Sequence, residues 1–252
     1  MSLPYIPVGK INLRPAGEGK SGVTSVSAAP TRAVERALEL LAEVSAAEPV
    51  SLAECARRTG LAPSTALRLL RTLARAAFVR RDDEGYFHSG VRLIQLGAAA
   101  LGRQALVTMS EPALRRIVAA TGESAYLSIA GPNDTSIYVA MVEGTHAVRH
   151  TSWVGRAFPM AGLAVGDALL GRVSESGYVA QRDRLEPDVT AIAAPIRRPG
   201  GVAGALSLLG PTYRIDDHTM HEYGQIVSRE ARALADELGV PEAGATEEAR
   251  QQ

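Results

Sequence analysis

Residues 51–73, SLAECARRTGLAPSTALRLLRTL, leave the chain few choices of local fold. Ser51 is placed to cap a helix, and Glu54 follows at the spacing of a capping box. Leu52, Ala53 and Ala56 give that helix an apolar face. Gly60 follows Arg58 and Thr59, where a helix end favours a residue that tolerates positive φ. Pro63 suits the first turn of a second helix, because an N–H there would have no intrahelical partner. Ala66, Leu67, Leu69, Leu70 and Leu73 make a buried stripe, with Ser64, Thr65, Arg68, Arg71 and Arg75 largely opposite. Two short helices joined by a glycine turn predict a helix-turn-helix. The polar start of its second helix suits a major groove, where arginine bonds guanine bidentately and Ser or Thr meets bases or phosphates.

The flanks extend the pattern. Thr31 to Ala46 carries Val34, Leu38, Leu41 and Val44 at helical spacing. Phe78-Val79 and Tyr86-Phe87-His88 read as strands around the polar turn Arg80 to Gly85, a hairpin wing. The order helix, helix, helix, hairpin predicts a winged helix-turn-helix. Charge supports it mildly. The whole chain balances 27 basic against 27 acidic residues, which disfavours indiscriminate binding to polyanions. Residues 25–103 hold eleven arginines against eight carboxylates, leaving +3. A specific reader needs a local basic face. Arg32, Arg68, Arg71, Arg80 and Arg81, with Ser64 and Thr65, are the candidate DNA-binding residues.

At 252 residues the chain is long enough for two domains with separate cores. Residues 1–28 and 241–252 are expected to be a disordered extension and tail. Residues 29–90 form the DNA-binding domain, 91–106 a linker helix, and 107–240 an α+β domain. Within it the pattern predicts helices from Ser110 to Thr121, Ala161 to Leu170 and Asp216 to Leu238. Strands are expected at 125–130, 136–142, 148–152, 178–181, 191–196 and 204–209. No run is apolar and long enough for a transmembrane helix, and no secretory signal is evident. The one cysteine, Cys55, excludes an intramolecular disulfide and fits a reducing cytoplasm.

Both halves resemble the IclR (isocitrate lyase regulator) family of bacterial transcription factors. TRAVERALELLAEV, SLAECARRTGLAPSTALRLLRTLARAAFVRR and GYFHSGVRLIQLG are similar to that family's N-terminal domain. ESGYVAQRDRLEPDVTAIAAPIRRPGGVAGALSLLGP is similar to its effector-binding domain, through Gly-Tyr-Val at 177–179, Ile-Ala-Ala-Pro-Ile at 192–196 and Leu-Gly-Pro at 209–211. The resemblance covers residues 31–239. It implies a GAF-like α+β effector domain and pairing of two chains, or a dimer of dimers, on a near-palindromic double-stranded DNA operator. One departure stands out: only GRVSESG, 171–177, lies where relatives carry about two further helices.

The resemblance also implies a ligand pocket lined by Met160, Ala161, Gly162, Leu163, Ala191, Ser207 and Leu209. A helix beginning at 160–163 would offer free backbone N–H groups to an anion or a carbonyl oxygen. Leu163, Ala191 and Leu209 are apolar and Ser207 is polar, so the expected effector is apolar or aromatic with one polar group. Trp153 is expected to add a wall. Enzyme readings find little support, since the chain has no P-loop, dinucleotide fingerprint or nucleophile elbow. His218-x-x-His221 could ligate a metal, but it reads better as a solvated helix start. Neither metal nor cofactor is expected. The alternatives are a sensor whose winged helix contacts protein and, more distantly, a metal-dependent enzyme.

Overall fold

The computed structural model describes residues 31–239 except Glu48, Arg103 and Thr151. The expected N-terminal extension and C-terminal tail lie outside the described residues. The chain divides into two compact units between Leu101 and Gly102.

The first unit contains α1 (Arg32–Ala46), α2 (Leu52–Thr59), α3 (Pro63–Arg75), the hairpin β1 (Val79–Arg81) and β2 (Phe87–Ser89), and α4 (Val91–Leu101). Ser51 forms the full capping box with Glu54, and Gly60 ends α2 in the left-handed region at φ 67°. Leu61 N–H then reaches the Ala56 carbonyl at 3.0 Å, closing the turn before Pro63 starts α3. Leu40, Val44, Val50, Cys55, Leu70 and Phe87 make the core. Val50 and Phe87 exchange both backbone hydrogen bonds, so the wing is tied to the α1–α2 connection. Cys55 is a packed core residue. Burial, reinforced by the Glu43 carboxylate, pushes its thiol up to about 11. At mildly alkaline pH, iodoacetamide is expected to leave native Cys55 unmodified while alkylating guanidinium-unfolded chain completely. Mass spectrometry reads the difference, and rapid native labelling would contradict the packing.

The second unit contains α5 (Ala105–Thr121), β3 (Ser124–Ala130), β4 (Thr135–Val142), β5 (Ala157–Pro159), α6 (Ala164–Leu169), β6 (Val179–Arg182), β7 (Val189–Arg198), β8 (Gly201–Pro211) and α7 (Asp217–Gly239). One antiparallel sheet runs β5-β4-β3-β8-β7-β6. Side chains alternate across it. Leu127, Ile192, Leu206 and Leu208 pack with α5 and α7 on one face. Tyr126, Ala193, Ala205 and Leu209 pack with α6 on the other. The fold class is therefore as expected: a winged helix-turn-helix followed by an α+β unit.

Several elements differ from the sequence reading. The linker helix ends at Leu101, and α5 begins at Ala105 rather than Ser110. Ser110 and Pro112 look like a helix start, but both lie inside α5, where the Ser110 hydroxyl donates to the Val107 carbonyl. No strand forms across the described residues of 148–152. Its carbonyls take side-chain donors instead: Arg214 reaches Val148 O at 2.9 Å and Ser124 reaches His150 O at 3.2 Å. The edge beside β4 is taken by Ala157–Pro159, a position that tolerates proline. Finally, α6 starts at Ala164 rather than Ala161, because Gly162 has φ 75° and Leu163 is extended.

Candidate DNA-reading face and ligand pocket

On α3, Ala66 and Leu70 are buried and Ser64, Arg68 and Arg71 are exposed, with Thr65 partly so. The exposed set recurs at three- and four-residue steps, so it forms one stripe. Arg32 begins α1 and is exposed. Arg80 is exposed on β1. Arg81, the next residue on β1, is also exposed. Its Nε donates to the Gly85 carbonyl at 3.1 Å, and its guanidinium lies 5.7 Å from the Phe87 ring centroid. It is engaged within the wing. The wing turn is also held by Asp82, whose carboxylate accepts from Tyr86 N–H at 2.7 Å and lies 2.6 Å from His88 Nε2. The His88 bond holds the Asp82 carboxyl below its usual range.

In the second unit a cavity lies between α6 and the sheet, with about 430 Å³ of atom-free space that includes its open mouth. Leu163, Ala191, Ser207 and Leu209 line it, four of the seven expected residues. Met160, Ala161 and Gly162 do not. The Met160 side chain is packed in the core below α6, and Ala161 and Gly162 are exposed on the turn before it. With α6 only six residues long and starting later, the expected anion-binding helix start at 160–163 is not formed. The sequence reading missed Tyr138 and Gln181 on the wall, and Arg184 and Glu186 at the rim. Gln181 had a signal: it alternates with Val179 on β6, two residues apart and so on one face.

Aromatic edges make much of the apolar wall. Tyr138 meets Trp153 edge-on at 5.7 Å, and Trp153 meets His150 at 4.0 Å. His150 Nδ1 lies 2.7 Å from the Tyr126 hydroxyl, and its Nε2 lies 3.7 Å from Glu186. Burial pushes the Tyr126 and Tyr138 phenols well above their usual value, so both stay neutral. Ser207 is 1% exposed, and its hydroxyl has no hydrogen-bond partner among the described residues. The Gln181 Oε1 is also buried and without a partner among the described residues.

The two histidines of His218-x-x-His221 are engaged separately. His218 lies 3.3 Å from Glu222, and His221 Nδ1 lies 3.0 Å from the Tyr178 hydroxyl. Among the described residues no group of three or more His, Cys, Asp or Glu could hold a metal ion. No helix among them is long and apolar enough to cross a membrane.

Comparison with known proteins places both units. The IclR helix-turn-helix domain model matches residues 33–83. The model of the bacterial transcriptional regulator IclR C-terminal domain matches in two pieces, 98–174 and 169–236. The pieces meet at the connection between α6 and β6, where the chain is short. HTH-type transcriptional regulator BhcR of Paracoccus denitrificans is 29% identical, covering 88% of this chain and 92% of its own. The crystal structure of an IclR transcriptional regulator from Alicyclobacillus acidocaldarius aligns with TM-score 0.72 and 25% identity, over 82% of this chain and 98% of that one. An IclR homologue from Microbacterium hydrocarbonoxydans, solved with 4-hydroxybenzoate, aligns with TM-score 0.62 and 21% identity, over 80% and 99% of the two chains. With family models spanning both units, the chain belongs to the IclR family of bacterial transcriptional regulators, with a helix-turn-helix for DNA and a C-terminal ligand-binding domain.

Proposed function

We propose that two copies of this chain read a near-palindromic operator through the exposed α3 stripe. Ser64, Thr65 and Arg68 meet base edges, and Arg32, Arg71 and the wing residues Arg80 and Arg81 hold phosphates. The observation that carries this reading is the stripe itself, polar and cationic opposite buried Ala66 and Leu70. Val34 and Leu38 of α1 and Val91, Ile94 and Leu96 of α4 are large exposed apolar side chains. Pairing of two chains through α1 and α4 would cover them. The chain works in the cytoplasm, where its one thiol stays reduced.

Selection of bound fragments from the genome, followed by footprinting, tests the reading. A short near-palindrome is the expected result, with affinity falling steeply as salt rises. Salt-sensitive but sequence-blind binding would overturn it. A sensor whose winged helix contacts protein would protect no DNA.

The effector is a small molecule, largely apolar or aromatic, with a polar group that reaches Ser207. The cavity between α6 and the sheet supports this, through apolar Leu163, Ala191 and Leu209 and the unpartnered Ser207 hydroxyl. The hydroxylated aromatic ring bound by the Microbacterium homologue is a compound of this kind. Ser207→Leu is expected to fill the cavity. The effector's influence on operator binding is then lost, and ligand-free operator binding stays intact. Gel-shift titration with and without effector reads both, and loss of both together would overturn the assignment.

A further inference from the structure

Ser207 and Gln181 belong to different strands of the same face. Gln181 pairs with Ala191, and Ala191 pairs with Leu209, two residues along β8 from Ser207. The two backbone positions are therefore separated by the width of β7 and by two residues along the strand, roughly 12 Å in all. Both side chains line the cavity, and Ser207 Oγ and Gln181 Oε1 are buried there without partners. A buried polar group left unpaired costs free energy, so a ligand that bonds either atom recovers it. Both groups are uncharged. The hydroxyl donates and accepts, and the amide can present its oxygen or its NH2. The cations are elsewhere: Arg184, the one cation lining the cavity, is exposed at the rim and has no ion pair among the described residues. A carboxylate pushed inward would be desolvated against two neutral groups, whereas at the rim it would meet the Arg184 guanidinium in solvent, the Glu186 carboxylate there lying 3.7 Å from His150 Nε2.

Resting on the proposed ligand pocket, we infer that it orients an aromatic ligand with an uncharged hydrogen-bonding group inward, read by Gln181 together with Ser207. An acid group on the same ring faces outward to Arg184. Gln181 is thus a specificity-determining residue.

The test uses the full-length protein and three probes: phenol, benzoate and 4-hydroxybenzoate, titrated by ligand-observed NMR. The expected order is 4-hydroxybenzoate tightest, with benzoate about a hundredfold weaker, the worth of two good hydrogen bonds. Gln181→Leu and Ser207→Ala are each expected to weaken phenol and 4-hydroxybenzoate about tenfold and to spare benzoate. Arg184→Met should weaken 4-hydroxybenzoate and spare phenol. An unchanged melting temperature for each variant confirms its fold. If benzoate binds as tightly as 4-hydroxybenzoate, or Gln181→Leu changes no affinity, the inferred orientation is wrong and the pocket stands. If no probe binds, or binding survives Ser207→Leu, the pocket reading itself falls and takes this inference with it.

Discussion

Replacing Arg68 with alanine is expected to weaken binding to the true operator by about 1–3 kcal/mol, the worth of a bidentate arginine–base contact. Arg68 is exposed near the middle of α3, one turn after Ser64, with its guanidinium in no ion pair among the described residues. Its removal leaves the fold intact, because the side chain is outside the core and alanine favours a helix. The loss should appear on the operator and be much smaller on random DNA. Arg71→Ala should instead weaken both by similar factors and lower the salt slope by about one, as a phosphate contact does. Fluorescence anisotropy on both duplexes, at several salt concentrations, separates the two. Unchanged Arg68→Ala affinity at matched salt would remove that residue from the reading face.

Gly166→Ala is expected to destabilise the second unit by about 1–3 kcal/mol or more, the range for overfilling a packed core. Gly166 lies within α6, and a Cβ there would overlap the backbone carbonyl of Met160. Backbone cannot swing aside as a side chain can, so α6 would have to lift. Ala164 and Val165 would lift with it, and both line the cavity between α6 and the sheet. Effector response should therefore fall together with melting temperature. Gly97 of α4 is the matched control, since a Cβ there meets nothing within 4 Å. Gly97→Ala is expected to stabilise by about 0.5–1 kcal/mol through helix propensity alone. Thermal melting followed by circular dichroism compares them, and a melting temperature for Gly166→Ala equal to the parent's would refute the close packing.

The DNA-reading half was largely legible because its signals are local. Ser51 and Glu54 sit three residues apart, Gly60 follows its helix directly, and the α3 stripe repeats within thirteen residues. Each is decided by neighbours along the chain. The cavity between α6 and the sheet is assembled differently. Tyr138, Gln181 and Ser207 come from three separate strands, and Arg184 and Glu186 from the turn between β6 and β7. The family resemblance supplied Ala191, Ser207 and Leu209 along β7 and β8, and strand alternation turns all three to the face with the cavity. It misplaced Met160, Ala161 and Gly162, because a positive φ at Gly162 delays the helix by one turn. The 148–152 segment shows the same limit. Its composition suits a strand, but Arg214 and Ser124, both distant in sequence, take its carbonyls. The hydrogen bond from Arg81 to the Gly85 carbonyl, which sets it apart from its neighbour Arg80, was not legible either, because it depends on how the turn folds.

The packing of Cys55 makes the chain a ready-made background for distance spectroscopy. With one cysteine in 252 residues, and that one buried with a raised pKa, any cysteine introduced on the surface becomes the single reactive thiol. Arg75→Cys, exposed at the far end of α3, would take a spin label with Cys55 left in place. In a two-fold assembly each label would have one counterpart. The separation of the two reading helices, with and without operator or effector, could then be read as one distribution from an otherwise unaltered protein.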